Sequence, residues 1–221
     1  LPDHPASAYT LFTLAGDRVA GLTPMSEAMK AQGVPPMWVS YILVDDVEAV
    51  AGRVEQHGGV VQLPPMDVVD SGRMALIQDP SGGSVALWQA GTHRGAACFN
   101  DPGCMAWNEL MTRDPLAARG FYSALLGWTF EEVDLGPRGT YHLFRVGARP
   151  NGGVMAFPPD VPPEVPPSWD VYFAVEDVAE SCAQAEGLGA TVVVSPTRIP
   201  MVTFALVADP RGAHFTLWRE G

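Results

Sequence analysis

The stretch from Trp38-Val39-Ser40-Tyr41 to Leu87-Trp88 recurs as Trp169-Asp170-Val171-Tyr172 to Leu217-Trp218, offset by 131 residues at its start and 130 at its end. The landmarks between keep their order: Asp46-Val47 answers Asp177-Val178, Gly59 answers Gly189, Asp79-Pro80 answers Asp209-Pro210, and Gly82 answers Gly212. One repeated position would be chance, but an ordered set of this size is a duplication. Its period lies well above the roughly 20 to 50 residues of solenoid and propeller repeats, so each copy must be a domain or half-domain with a core of its own.

Within the first copy, Trp38 to Val44 is an apolar run of strand type, and Val47, Val50, Ala51 and Val54 follow at helical spacing until Gly58-Gly59 stops them. Val60 to Leu63 and Arg73 to Gln78 read as further strands. Asp79-Pro80-Ser81-Gly82-Gly83 is turn chemistry leading into Ser84 to Trp88. The second copy spells the same βαβββ order, with strands over 171–175, 191–195, 202–208 and 214–218 and a helix over 178–187. Residues 104–158 carry another such unit: a strand over 107–111, a helix over 115–126, and strands over 128–131, 141–146 and 153–157. The proline-dense segment from Pro158 to Pro167 suits an extended connector.

The N-terminal stretch matches only the later part of that middle unit. Tyr9-Thr10-Leu11-Phe12 answers Tyr141-His142-Leu143-Phe144, and Gly21 answers Gly153. Since the chain starts at Leu1 and its opening strand and helix have no counterpart, a leading segment is expected to be missing. Two domains are therefore expected, an incomplete one over 1–96 and a complete one over 97–221 with modules 104–158 and 168–221.

A net charge of −12 would repel nucleic acid and anionic membrane surfaces at long range, which leaves small molecules or proteins as partners. No apolar run reaches the span of a bilayer and no charged-then-apolar leader is present, so a soluble, cytoplasmic protein is expected. Cys98, Cys104 and Cys182 form an odd, sparse set without zinc spacing, which reads as reduced thiols and not as a disulfide framework. No Gly-x-Ser-x-Gly elbow, phosphate-cradling loop or dinucleotide fingerprint occurs, so NAD, flavin and ATP are unsupported.

The paired βαβββ modules, the run Trp107-Asn108-Glu109-Leu110-Met111-Thr112-Arg113-Asp114-Pro115 with Phe121-Tyr122 and Leu126-Gly127-Trp128 after it, and the two Asp-Pro-x-Gly turns resemble the vicinal oxygen chelate superfamily of glyoxalases, bleomycin-resistance proteins and extradiol dioxygenases. More narrowly, they resemble the tandem glyoxalase-like proteins of actinomycetes that carry a hydroxylase label. The resemblance implies an α+β fold in which paired modules join their sheets into curved half-barrels, with helices outside and a ligand cleft inside. Fold alone supplies no chemistry.

In the metal-dependent relatives, each module places a metal ligand near the start of its first strand and another in its last. Those slots fall here on Trp107, Val39, Asp170, Ala86 and Thr216, of which only Asp170 is an ordinary cation ligand. No metal site of the inherited kind is expected. Strand alternation offers a substitute, since Glu109 shares the parity of Trp107 and His214 that of Thr216. Glu109, Asp170 and His214 are accordingly the candidate catalytic or metal-holding set, with rim carboxylates and an ordinary hairpin histidine as the plain alternative. The candidate ligand-binding residues are Tyr41, Trp88, Trp107, Glu109, Tyr172, His214 and Trp218, because rigid aromatic faces give stacking area at little entropic cost. For the aromatic residues the alternative is core filling. Asp79 and Asp209 read as turn formers.

Three functions follow. The first is a small-molecule binding or sequestering protein of the bleomycin-resistance type, without a cofactor. The second is a glyoxalase-, isomerase- or dioxygenase-like enzyme using a divalent metal on Glu109, Asp170 and His214. The third is an interaction scaffold with vestigial clefts. Homo-oligomerisation is left open.

Overall fold

A computed structural model describes residues 9–221. Along the chain run β1 (Thr10–Leu14), β2 (Asp17–Leu22), α1 (Glu27–Ala31), β3 (Tyr41–Leu43), α2 (Val47–Ala51), β4 (Val60–Val68), β5 (Gly72–Gln78) and β6 (Ser84–Ala90). They are followed by β7 (Met105–Thr112), α3 (Pro115–Leu126), β8 (Thr129–Asp134), β9 (Thr140–Val146) and β10 (Arg149–Ala156). The chain closes with β11 (Ser168–Ala174), α4 (Val178–Gly187), β12 (Thr191–Ile199), β13 (Val202–Ala208) and β14 (His214–Glu220). The fold is α+β with curved open sheets. Among the described residues no helix is long and apolar enough to cross a membrane.

Two compact units form, each from separate segments. The central unit combines Val39–Arg94 with Trp107–Asp170, and the terminal unit combines the described residues up to Trp38 with Gly95–Ala106 and Val171–Gly221. Each duplicated copy falls almost wholly within one unit, but each unit draws on segments from both halves of the chain.

In the central unit, four strands stand in the order β3-β6-β5-β4 and four more in the order β7-β10-β9-β8. Tyr41 lies opposite Ala86 in the parallel pair β3/β6, and Glu109 lies opposite Gly153 in the parallel pair β7/β10. The helix α3 starts where Asp114 accepts from the Ala117 amide at 2.9 Å ahead of Pro115, and ends at Gly127 with φ +71°. Its inward stripe of Ala118, Phe121, Tyr122 and Leu125 joins Leu110, Phe144 and Val154 from the strands. Trp128 stacks on Phe144 at 4.2 Å and on Tyr122 at 5.2 Å, and Trp169 meets Tyr122 edge-on at 5.5 Å. Each such ring contributes on the order of 2–3 kcal/mol through apolar burial.

A carboxyl group sits inside this core. Asp79 is 3% exposed, and its Oδ1 accepts from the Ser81 amide, the Ser81 hydroxyl and the Gly83 amide at 2.7, 2.6 and 3.2 Å. Its Oδ2 accepts from the Tyr122 hydroxyl at 2.9 Å, and that hydroxyl accepts from the Trp169 indole at 3.0 Å. The turn former expected from the sequence thus ties a hairpin to α3 and β11.

The terminal unit repeats the strand order as β11-β14-β13-β12. Tyr172 lies opposite Thr216 and Ala174 opposite Trp218, the same register as Tyr41 with Ala86 and Leu43 with Trp88. Asp177 caps α4 as Asp46 caps α2. Its core is smaller: Val178 and Cys182 of α4 pack on Ala205, Val207 and Leu217. Trp38 meets Phe173 edge-on at 5.0 Å. The hairpin β1/β2 pairs Leu11 with Gly21, as β9/β10 pairs Leu143 with Gly153.

Two differences from the sequence reading have a common cause. β4 runs on through Pro64-Pro65 to Val68, and β12 runs on through Pro196 to Ile199, although both strands were expected to stop before their prolines. Each is the outermost strand of its group of four, and its ladder shifts register at the prolines, between Leu63 and Met66 and between Val194 and Thr197. A proline there takes a bulge position and forfeits no ladder bond. α2 is also shorter than its apolar spacing suggested, since Gly52 ends it and Glu55–His57 continues as a tighter turn. The short helix α1, capped by Ser26, carries no buried residue and left no apolar periodicity to read.

Candidate functional site

Alternation along β7 sends Leu110 and Thr112 into the core and leaves Trp107 and Glu109 on the face turned away from α3. On β9, His142 and Phe144 are buried, so Tyr141 belongs with Trp107 and Glu109. The Trp107 indole donates to the Tyr141 hydroxyl at 2.8 Å. That hydroxyl donates in turn to the Glu109 carboxylate. Burial, then the negative charge of Glu109, holds the Tyr141 phenol well above its ordinary range. The chain Trp107, Tyr141, Glu109 is therefore a directed relay of donors ending on a carboxylate.

Gly153 makes this arrangement fit. It lies directly opposite Glu109, and a Cβ added to it would overlap the Tyr141 ring. The ring lies flat over bare backbone and reaches across to β7. Tyr9 lies over Gly21 in the same way, so the duplicated hairpin repeats the seat.

Asp170 completes the group. Its carboxyl is pushed up to about 7, first by burial and further by the charge of Glu109, against the opposing pull of a hydrogen bond from the Ser168 hydroxyl at 3.0 Å. Glu109 and Asp170 both belong to the central unit, and the charge of Glu109 acts on the Asp170 carboxyl. His214 belongs to the terminal unit, exposed at the first residue of β14.

The aromatic candidates divide. Tyr41 meets Trp88 edge-on at 6.0 Å and Tyr172 meets Trp218 at 5.7 Å, one pair in each unit. Trp88 is 7% exposed with its indole donating to the His93 carbonyl at 3.0 Å, and Tyr172 is 8% exposed, so both fill core. Tyr41 is 54% exposed. Residue-by-residue reading missed Tyr141 as a site member. Its signal was the alignment of Tyr9 and Gly21 with Tyr141 and Gly153, which pairs an aromatic with a glycine across adjacent strands in both copies. It also missed the link from the Ser40 hydroxyl to the Asn108 carbonyl oxygen at 2.7 Å, which ties the segment ahead of β3 to β7. A shallow depression of about 300 Å³ elsewhere in the central unit is lined by Glu48, Ala51, Gly52, Glu55, Val61 and Pro65 and includes none of these residues.

A divalent cation of the superfamily type is poorly served here. The face offers two carboxylates, one already accepting from Tyr141 and the other raised to about 7, against the roughly three protein ligands a catalytic metal needs. The remaining family slots hold Trp107, Val39, Ala86 and the buried hydroxyl of Thr216. Among the described residues no three His, Cys, Asp or Glu side chains gather in metal-binding geometry.

Similarity to known proteins agrees with the architecture. The Glyoxalase-like domain family matches residues 107–218, and the Glyoxalase/Bleomycin resistance protein/Dioxygenase superfamily matches residues 3–87. The chain is 41% identical over 95% of its length to the "Putative glyoxylase CFP32" of Mycobacterium tuberculosis, covering 79% of that protein. It is 36% identical over 99% of its length to the anthracycline biosynthesis protein DnrV of Streptomyces peucetius, covering 83% of that one. Among solved structures, 2,2',3-trihydroxybiphenyl 1,2-dioxygenase of Sphingomonas wittichii superposes with a TM-score of 0.61 at 14% identity, over 95% of this chain and 80% of the other. The Mn(II)-bound glyoxalase of Novosphingobium aromaticivorans gives 0.56 at 18% identity, over 81% and 62%. The chain belongs to the glyoxalase/bleomycin resistance protein/dioxygenase superfamily.

Proposed function

We propose that the protein binds a small, planar molecule on the Trp107, Glu109, Tyr141 and Asp170 face of the central unit, and that it does so without a metal. The observation that carries this reading is the donor relay from Trp107 through Tyr141 to Glu109, seated on Gly153 beside a carboxyl raised to about 7. A rigid indole and phenol supply stacking area at low entropic cost, and the carboxyl groups fix the orientation of a hydroxyl or carbonyl group. Two relatives named as anthracycline biosynthesis proteins make a polycyclic aromatic ketone the natural probe.

The test is titration with 1,4-dihydroxyanthraquinone by calorimetry, with and without a chelator. Saturable binding unaffected by chelator is expected, weakened about tenfold or more by Trp107→Ala or Glu109→Gln. Absence of saturable binding, or binding that both variants retain in full, sinks the proposal.

A second reading rests on Asp170 itself. A buried carboxyl near neutrality beside a second carboxylate can give or take a proton, which supports an isomerase- or lyase-like enzyme of the superfamily. In a metal-dependent form of this reading, purified protein retains a stoichiometric divalent ion through dialysis and loses activity to chelator.

A further inference from the structure

The segment Gly95–Ala106, which joins β6 to β7, folds back on itself. Phe99 pairs with Met105 in a parallel bridge, the Asn100 amide donates to the Met105 carbonyl at 3.0 Å, and the Cys104 amide donates to the Asp101 carbonyl at 2.8 Å. Left-handed corners at Asn100 (φ +67°) and Gly103 (φ +88°) make so tight a return passable. The residues next to the bridged pair, on the same side of each, are Cys98 and Cys104. Neighbouring β backbones stand about 4.8 Å apart, within the roughly 4.4–6.8 Å of Cα separation that a disulfide spans.

The side chains take up that opportunity. The Cys98 thiol lies within hydrogen-bonding reach of the Cys104 sulfur and donates to Asp101 Oδ2 at 3.4 Å. Cys104 is fully buried, and its carbonyl is held by the Ala174 amide at 2.9 Å. Cys98 is half-buried and is the member that a reagent reaches. Cys182 sits apart in the core under α4.

From this geometry we infer that Cys98 and Cys104 form a reversible redox pair, closing an intramolecular disulfide at the expense of a low-molecular-mass disulfide. The thiolate of Cys98 attacks one sulfur of that disulfide and expels the first thiolate. Cys104, deprotonated, then attacks the Cys98 sulfur of the mixed disulfide and expels the second. The two cysteine protons pass to solvent and protonate the released thiolates, so one disulfide is reduced as one is formed. Hydrogen bonding to Cys104, then burial, then Asp101 push the Cys98 thiol up to about 12, so the exchange is slow at neutral pH and answers sustained oxidation more than a brief pulse.

The whole chain itself provides the assay. Folded protein is held with oxidised glutathione at mildly alkaline pH, acid-quenched, alkylated under denaturing conditions and digested with trypsin. Cleavage after Arg94 and Arg113 leaves both cysteines in one peptide, residues 95–113. Most of that peptide is expected to be unalkylated and lighter by about 2 Da, the mass of the two hydrogens lost, and dithiothreitol should reverse the change. Cys182 stays alkylated. In Cys104→Ser, glutathione should remain attached to Cys98. Two alkyl groups on the peptide after prolonged oxidation, or glutathione persisting on Cys98 of the unmutated chain, would overturn the inference.

Discussion

Asp79 and Asp209 occupy one place in the duplicated turn but have different surroundings. Asp79 is 3% exposed and accepts from Tyr122 as well as from its own turn, whereas Asp209 is only partly buried and accepts from the Arg211 and Ala213 amides at 2.7 and 3.0 Å. Replacing Asp79 by Ala strands the Tyr122 hydroxyl and two amides in the core, so a loss of about 3–5 kcal/mol is expected, against about 1 kcal/mol for Asp209→Ala. Urea midpoints compare the two directly, and equal shifts would contradict the assigned keystone role. Asp170 makes a prediction of opposite kind. Its carboxyl is raised in the folded state, so folding takes up a proton between the ordinary carboxylate range and about 7. The associated stability is fully present at acid pH and is lost as pH rises through about 7, on the order of 4 kcal/mol in all. Asp170→Asn should flatten the stability profile over that window, and an unchanged slope would show that Asp170 does not titrate there.

The hairpin β9/β10 shows how little sequence separates a structural element from a functional one. Gly153→Ala puts a methyl group where the Tyr141 ring lies, which pushes the ring off its seat and breaks both the Trp107 bond and the Glu109 bond. The expected result is weakened ligand binding about tenfold or more, with a stability cost of about 1–3 kcal/mol. Retention of full affinity would detach Tyr141 from the site. Much of the architecture was legible beforehand because period-2 and period-3.6 patterns recur in both copies, and α3 and α4 occupy the spans 115–126 and 178–187 read from those patterns. Bounds through prolines were not legible, since whether a strand is outermost depends on pairing that no local window contains. Glu109 and Asp170 could be picked out by parity on their own strands, while Tyr141 enters the site only through its partner strand β10.

Interleaving governs the behaviour of the whole molecule. A fragment of residues 1–96 holds only part of the central unit and part of the terminal one, and residues 97–221 hold the remainder. Neither fragment alone is expected to give dispersed amide resonances or a cooperative thermal transition, whereas mixing the two should restore both. Two fragments that each fold by themselves would favour the simple tandem division at residue 96. The same interleaving fixes an order of events on the ribosome. The central unit has all its residues once Asp170 has emerged, but the terminal unit cannot close until residues 171–221 have been made, roughly 3–10 s later at about 5–20 residues per second. Through that interval the hairpin of β1 and β2 waits without the rest of its unit, and its apolar Leu11, Phe12 and Leu22, each still 41–56% exposed in the finished fold, are open to whatever chaperone meets the nascent chain.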